Sequence, residues 1–327
     1  MSEEWMEQVF ETGPQAEVSV ENVRGEITFE AWDEPRVHVT ARRQGERARV
    51  VMWGEGNRVE VRTEIEPRPD GGWGWFSREQ PPSVDYVVRA PRETHARLHT
   101  VSGPVRVTGV RGQLDVSSVD GAVELRDVEG DIYAQATNGA VFGADLAGAV
   151  QAQTTNGSIT VDAGRLAVVR AETVNGTIAV MGLNAGGQVE ARTVNGVLEL
   201  SLADNVQAAV DASGLSLSVS LAVAYQAESQ GRASWRGTVG RGQPGASVTY
   251  RTVNGRLQVS SASGAAETAP AAGSQTPLPA VETAATVGAQ AAAPAMPQSV
   301  KDILNAIERG EMTVDQALGL MGKANPS

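Results

Sequence analysis

Several residue types are missing or scarce in this 327-residue chain, and each absence removes a class of function. There is no cysteine, which excludes disulfides, thiolate metal sites and cysteine nucleophiles together. Aromatic residues make up only 4%, so the core must be built from Val, Leu, Ile and Ala. Acidic residues outnumber basic ones by 39 to 27, for a net charge of -12. That balance argues against nucleic-acid binding, which needs clustered positive charge.

Long hydrophobic runs are also missing. No stretch approaches the roughly 18 apolar residues of a membrane-spanning helix. The first residues, Met1-Ser2-Glu3-Glu4-Trp5, are acidic and lead into no apolar segment, unlike a secretory signal. The sequence therefore predicts a cytoplasmic location by default, with envelope association as the alternative.

Glycine is abundant, and it recurs about every nine residues between Val101 and Gly196. Alternate members of the series resemble one another, as in Thr137-Asn138-Gly139 and Thr155-Asn156-Gly157, so the true repeat is 18 to 20 residues long. A fixed period of this length is typical of repeat architectures.

Each half-repeat alternates apolar and polar residues after its glycine, as in Val123-Glu124-Leu125, which predicts a short strand with one buried face. Asn-Gly and Asp-Gly at the joints predict turns with positive φ at both residues. Two folds are compatible: an antiparallel meander with Asn-Gly hairpins, or a parallel β-solenoid with one 18–20-residue coil per repeat. We favour the all-β solenoid, because its two strand rows enclose their own core.

Two polar columns recur at the joints. The first is an Asn/Asp column, consisting of Asp120, Asn138, Asn156, Asn175, Asn195 and Asn254. The second is a Ser/Thr column, read from the sequence as Ser102, Ser118, Thr137, Thr155, Thr173, Thr193 and Thr252. Amide ladders stabilise stacked strands, so we interpret the Asn/Asp column as a structural ladder rather than a ligand-binding strip. Calcium binding is disfavoured, since only Asp120 of that column is charged.

The composition divides the chain into four parts. Residues 1–13 show no clean period and form a lead-in, and residues 14–260 carry the strand repeats, with an irregular cap over about 204–260. Residues 261–297 are rich in Ala, Pro and Thr and predict a disordered linker. Residues 298–327 predict a hairpin of two amphipathic helices that is too small to be stable alone. Its predicted docking face comprises Ile303, Leu304, Ile307, Val314, Leu318 and Met321.

A Gly- and Pro-rich segment interrupts the strands at residues 66–82 and contains Trp73, Trp75 and Phe76. These rings over 71–76 form a candidate contact loop for a partner, a glycan or a membrane surface. The alternative is that they cover an open end of the core.

Catalysis finds little support in the sequence. Asp115, Asp127, Asp131, Asp145 and Asp162 fall at different offsets from their repeat glycines, so no acid pair is predicted to stack on one face. His95 and His99 lack a third metal ligand. We expect no enzyme activity, no cofactor and no metal site.

The stretch Val18-Ser19-Val20-Glu21-Asn22-Val23-Arg24-Gly25-Glu26-Ile27-Thr28 and the Thr-Val-Asn-Gly copies resemble a bacterial family of putative adhesins, a β-strand-repeat domain of unknown function. The tail from Ile303 to Thr313 is similar to SHOCT-like helical-hairpin modules. Relatives with both parts, the LiaX-type proteins, imply a role in cell-envelope stress responses. The resemblance implies no catalytic residues.

Three functions remain open at this point. The first is a non-catalytic scaffold whose C-terminal hairpin docks a protein partner or a second copy, in envelope-stress signalling or surface association. The second is a glycan-binding or glycan-cleaving β-helix that uses loop 71–76. The third is a self-polymerising cytoskeletal β-helix.

Overall fold

The structure is a computed structural model that describes residues 3–66 and 82–261. The predicted contact loop (Trp73, Trp75, Phe76), the linker and the predicted docking face (Ile303, Leu304, Ile307, Val314, Leu318, Met321) lie outside the described residues. No helix that could cross a membrane occurs in the part of the chain that the structure describes.

The described residues form 21 strands and no helix, which confirms the all-β prediction. The first ten strands are β1 (Glu3–Glu11), β2 (Gln15–Arg24), β3 (Ile27–Trp32), β4 (Arg36–Gln44), β5 (Ala48–Glu55), β6 (Arg58–Ile65), β7 (Ser83–Pro91), β8 (Glu93–Ser102), β9 (Val105–Thr108) and β10 (Arg111–Asp120). The middle strands are β11 (Val123–Arg126), β12 (Glu129–Asn138), β13 (Val141–Ala144), β14 (Ala147–Asn156), β15 (Ile159–Asp162), β16 (Arg165–Leu183) and β17 (Gln188–Leu202). The last are β18 (Val206–Leu221), β19 (Tyr225–Gln230), β20 (Ser234–Gly240) and β21 (Gln243–Ser261). Together they make one nearly closed sheet.

Parallel ladders with the period of the repeat make up the middle of this sheet. In one row, β8, β10, β12, β14, β16 and β17 are successive neighbours. Val116 lies opposite Ala134, which lies opposite Ala152 on its other side. In the second row, β9, β11, β13 and β15 pair in the same way, with Val123 opposite Val105 and Val141. Strands that are one repeat apart in sequence are therefore direct neighbours.

The Asn-Gly joints are not hairpin turns. The strands that flank Asn138-Gly139 are β12 and β13, and each pairs with strands of its own row rather than with the other. This arrangement contradicts the meander alternative.

Both ends of the sheet contain antiparallel pairs, the C-terminal ones within the segment predicted as an irregular cap. At the N-terminal end β4 pairs antiparallel with β1 and β7, and β5 with β6. At the C-terminal end β20 pairs antiparallel with β18 and β19. The residues interpreted as a lead-in thus contain a regular strand, β1, whose side chains are mostly exposed on both faces and so show no alternation in the sequence.

The last repeat copy does not form the last layer. Strand β21 inserts between β17 and β18: Asn254 lies opposite Asn195 on one side and Ser216 on the other. The copy at Asn254, which is the last one in the sequence, is therefore internal, and β18 is the outer neighbour.

One continuous core lies inside the sheet, built from the inward residues of both rows. It consists almost entirely of Val, Leu, Ile and Ala, as the low aromatic content predicts. The largest fully buried side chains, Tyr86, Tyr250 and Phe29, lie near the two ends of the strand order.

Candidate functional site

The Asn/Asp column forms a continuous chain of side-chain hydrogen bonds on the surface of the repeat region. The Nδ2 group of Asn138 donates to Oδ1 of Asp120 at 2.8 Å, and Asn156 donates to Asn138 at 3.1 Å. Asn175 donates to Asn156 at 3.1 Å, Asn195 to Asn175 at 3.2 Å and Asn254 to Asn195 at 3.2 Å.

The ladder has one direction, since each amide donates to the residue of the repeat before it. Asp120, at the start, only has to accept, and a carboxylate is acceptor-only at neutral pH. The single charged member therefore occupies the one position of the ladder that needs no donor. The structure brings all six residues together, and they bond to one another.

The expected left-handed backbone at these Asn and Asp residues is wrong. Among the described non-glycine residues, positive φ occurs only at Asp127, Asp145 and Asn205. Asn therefore suits these positions because its side chain hydrogen-bonds to its ladder neighbours, and not because its backbone adopts a turn conformation.

Lack of space explains the glycine series. A Cβ at Gly139 would lie 2.1 Å from the carbonyl oxygen of Gly121, and one at Gly157 would lie 2.0 Å from that of Gly139. In the alternate series, a Cβ at Gly130 would lie 2.0 Å from the carbonyl oxygen of Gly112. Distances this short do not occur between a real Cβ and a backbone oxygen, so both halves of the repeat require glycine where neighbouring backbones meet.

A second polar column is buried two residues before the ladder positions, and the Ser/Thr column predicted from the sequence mixes its members with exposed residues. The register aligns Thr100, Ser118, Ala136, Thr154, Thr173, Thr193 and Thr252. Ser102 lies opposite Asp120 in the ladder row, and Thr137 and Thr155 lie between the two columns. In the buried column, Ser118 Oγ donates to the carbonyl of Gly103 at 3.1 Å, and Thr154 Oγ1 donates to that of Gly139 at 3.0 Å. These hydroxyls tie the strand before a joint to the glycine of the preceding repeat.

Two buried tyrosines hydrogen-bond to this region near its two ends. The Tyr250 hydroxyl lies 2.9 Å from Thr193 Oγ1 and donates to the carbonyl of Gly196 at 3.3 Å. The Tyr86 hydroxyl lies 2.7 Å from Thr63 Oγ1, and Thr63 donates to Asn22 at 3.0 Å. Burial raises the pKa of Tyr86 to about 12.

A groove of about 400 Å³ lies on the outer face of the first strand row. Its polar lining is Gln113, Asp115, Asp131, Tyr133, Gln151 and Arg170. Asp115 and Asp131 belong to neighbouring strands, and both line this groove. The parallel register, which the spacing from the repeat glycines does not reveal, brings them to one surface, but Asp115 lies opposite Tyr133 and Asp131 opposite Gln113, so the two acids do not stack directly on each other.

The two histidines of β8 contact the next strand. His99 Nδ1 is hydrogen-bonded to Ser117 Oγ, and His95 accepts the backbone N–H of Gln113 at 3.4 Å. Within the described ranges, no group of three or more His, Asp or Glu residues could hold a metal ion.

An exposed apolar stripe accompanies the amide ladder. Val101, Val119, Val174, Val194 and Val253, each directly before a position of the ladder row, are 38–49% exposed, and Thr137 and Thr155 take this position in the two repeats between Val119 and Val174. These valines recur with the sequence repeat, but the sequence does not indicate that they are exposed. Their exposure follows from the strand register, which places the residue before each ladder asparagine outside the core.

No protein-family model matches this chain, and no curated protein matches it. Among solved structures, the chain is similar to a putative adhesin from Bacteroides fragilis, at 12% identity and a TM-score of 0.42, over 78% of this chain and 97% of that one. It is similar to a putative cell adhesion protein from Clostridium sporogenes, at 8% identity and a TM-score of 0.26, over 79% of this chain and 100% of that one. It is also similar to a putative lipid binding protein from Parabacteroides distasonis, at 12% identity and a TM-score of 0.25, over 78% and 97% of the two chains.

The names of the first two proteins agree with the resemblance to putative adhesins drawn from the repeat. At these identities and TM-scores, the similarities carry no inference about what this chain binds.

Proposed function

We propose that this chain is a non-catalytic scaffold, a β-solenoid in which each repeat is one coil, and that its C-terminal segment docks a protein partner or a second copy. The observation that supports this most directly is the amide ladder: the most regular polar residues of the chain bond to one another from repeat to repeat. A side chain that donates to one ladder neighbour and accepts from the other is held in place by them and contributes to stability.

The docking role rests on the sequence of residues 298–327, which resembles a SHOCT-like helical hairpin. Two short amphipathic helices cannot bury enough surface alone, so their apolar faces need a partner. Surface association or envelope-stress signalling is the setting that the adhesin and LiaX-type resemblance suggests.

The test uses the full chain with two substitutions on the docking face, Ile307→Asp and Leu318→Asp. Co-purification from native cells and mass in solution are measured for the wild type and the variant. We expect the variant to lose a partner or a copy that the wild type retains. The control, Glu308→Gln, changes a neighbouring residue off the predicted face. Identical partners and identical mass for all three proteins would contradict the docking role.

Glycan binding is the second candidate, and the outer groove supports it. Carboxylates, amides and one aromatic ring around a cavity are the groups that recognise hydroxyl-rich ligands. A glycan array with the wild type and a Tyr133→Ala variant decides between the candidates, with Trp73→Ala and Trp75→Ala testing the loop. The absence of any wild-type signal would remove this function.

A further inference from the structure

Strand edges are the sites at which a sheet can add another strand. In the described part of the chain, four stretches of six or more residues have a strand neighbour on one side only: β1, β5, β19 and residues 214–221 of β18, whose first residue, Gly214, still donates its N–H to the carbonyl of Ala233 on the other side. An unpaired edge carries free N–H and C=O groups, and proteins usually protect such edges with charge, bulges or short length.

Three of these edges carry such protection. Strand β1 contains four glutamates (Glu3, Glu4, Glu7 and Glu11), and β5 contains Arg49 and Glu55. Strand β19 is six residues long, contains Glu228 and is bulged against β20 between Ala227 and Ser229. Pairing of β1 with itself would place glutamates against glutamates.

The fourth edge, residues 214–221, has no such protection. Its sequence is Gly-Leu-Ser-Leu-Ser-Val-Ser-Leu, and no charged residue occurs between Asp211 and Glu228. Leu215 is 81% exposed, the highest value among the exposed large hydrophobic residues. Leu217, Val219 and Leu221 are half-buried and pack against the core.

The backbone groups of this edge alternate between two directions. The N–H of Ala222 donates to the carbonyl of Val259 in β21 at 2.8 Å. Because consecutive residues of a strand point their backbone groups to opposite sides, the N–H and C=O of residues 217, 219 and 221 point away from β21. The alternation does not extend back to Leu215, because the N–H of Gly214 also points away from β21, to the carbonyl of Ala233. These are the groups that a further strand would bind.

The polarity of the stretch is the same in both directions around Ser218. Leu217 mirrors Val219, Ser216 mirrors Ser220, and Leu215 mirrors Leu221. A twofold interface requires this kind of self-complementarity, in which residue i meets residue j and j meets i.

We propose that residues 214–221 pair antiparallel with the same residues of a second copy of this chain, about a twofold axis at Ser218, to form a closed dimer. Leu217 then lies opposite Val219 of the second copy, and Leu215 opposite its Leu221. Leu217 and Val219 both carry outward backbone groups, so each Leu217–Val219 pair exchanges two hydrogen bonds. Leu217, Val219 and Leu221 of both copies lie on the same face of the joined sheet, and Ser218 and Ser220 lie on the other.

This interface goes beyond the proposed scaffold function, and it uses described residues only. It does not involve the C-terminal docking face, so its variants leave Ile307 and Leu318 unchanged.

The position of Ser218 on the axis gives a selective test. A lysine or a glutamate there would face its own copy across the axis, in the closely spaced type of antiparallel pair. The full-length wild type, Ser218→Lys and Ser218→Glu are studied by sedimentation over a range of concentrations. The control is Ser260→Lys, which places the same charge on an exposed serine of the neighbouring strand.

We expect the wild type and the control to reach twice the 34.2 kDa chain mass as concentration rises. Each single charge variant should raise the dissociation constant about fivefold, since like charges directly opposite each other destabilise a strand pair. An equal mixture of Ser218→Lys and Ser218→Glu should form a heterodimer about tenfold tighter than either variant alone.

Three results would overturn the interface. The first is a wild type that stays monomeric at every concentration tested. This includes a monomer in which the amides of residues 217, 219 and 221 are protected from hydrogen exchange by the rest of its own chain. The second is a dimer that Ser218→Lys and Ser260→Lys affect equally. The third is a charge mixture with no preference for the heterodimer, which excludes an axis at Ser218.

Discussion

Replacing Gly139 by alanine tests whether the glycine series exists because of space. The added Cβ would lie 2.1 Å from the carbonyl oxygen of Gly121, and the other near atoms, at 2.7 and 3.4 Å, also belong to the backbone. Neither backbone can move without disturbing the ladders on both sides of it. Overpacking of this kind typically costs about 1–3 kcal/mol, and the rigid contact here favours the upper value. Alanine also restricts the unfolded chain, which offsets about 0.5–1 kcal/mol. We therefore expect a net loss of about 2 kcal/mol in the free energy of unfolding.

The matched control is Gly186→Ala. Gly186 has a φ of 89°, and a Cβ added there would have no described atom within 4 Å. An alanine at this position would therefore have a strained backbone but no steric contact. The left-handed conformation costs an ordinary residue about 1–2 kcal/mol, reduced by the same effect on the unfolded chain. This variant should lose about 1 kcal/mol or less.

Urea unfolding followed by circular dichroism measures both variants. Because repeat proteins can unfold in parts, hydrogen exchange at the strands on either side of Gly139 should accompany it. Gly139→Ala should increase exchange there, and Gly186→Ala should not. If Gly186→Ala proves the more destabilising, the series reflects conformation and our steric explanation is wrong.

Three further predictions concern the polar columns. Asn156→Ala removes two ladder hydrogen bonds on an exposed surface and should lower the free energy of unfolding by about 1 kcal/mol in thermal unfolding; an unchanged melting temperature would contradict a stabilising ladder. Thr154→Val should destabilise by about 1 kcal/mol, whereas Thr100→Val should be neutral or stabilising because the buried Thr100 hydroxyl has no hydrogen-bond partner among the described residues; equal effects in urea unfolding would refute this. The pKa of Tyr86 is raised to about 12, so its contribution to stability is complete below its unfolded pKa of about 10 and is lost as pH rises towards 12, by about 1.4 kcal/mol per pH unit. Urea unfolding at several alkaline pH values should show that this part of the slope is absent in Tyr86→Phe.

The sequence predicted the middle of the sheet well because there each sequence repeat corresponds to one step along the parallel strand rows. Where each copy stacks on the copy before it, the period of the sequence becomes the offset between paired strands. The members of the Asn/Asp column, such as Asn138 and Asn156, could therefore be predicted to be neighbours. The groove beside Tyr133 was not predicted, because it depends on which outward-facing residues of neighbouring strands lie beside each other. The spacing of residues in the sequence does not give that register.

The ends could not be predicted in the same way. Strand β1 is exposed on both faces and lacks the alternation that identifies a half-buried strand. The copy at Asn254 resembles every other copy, and nothing local to it indicates that β21 enters beside β17 rather than beyond β18. The positive φ expected at the Asn residues was wrong. Asn is favoured both in left-handed turns and in side-chain amide ladders, so its recurrence in the sequence does not distinguish the two.

The insertion of β21 has a consequence for the order in which the chain can fold. Most neighbouring strands of the parallel rows are a single repeat apart in sequence, whereas Asn195 and its neighbour Asn254 are 59 residues apart. During synthesis, β17 and β18 emerge well before β21, so both present bare edges until the last strand of the described region arrives. Premature pairing of β17 with β18 would close the gap that β21 must enter, and undoing it would be a slow step. Refolding should therefore show a late phase, in which protection of β17 from hydrogen exchange appears after that of β10, β12 and β14.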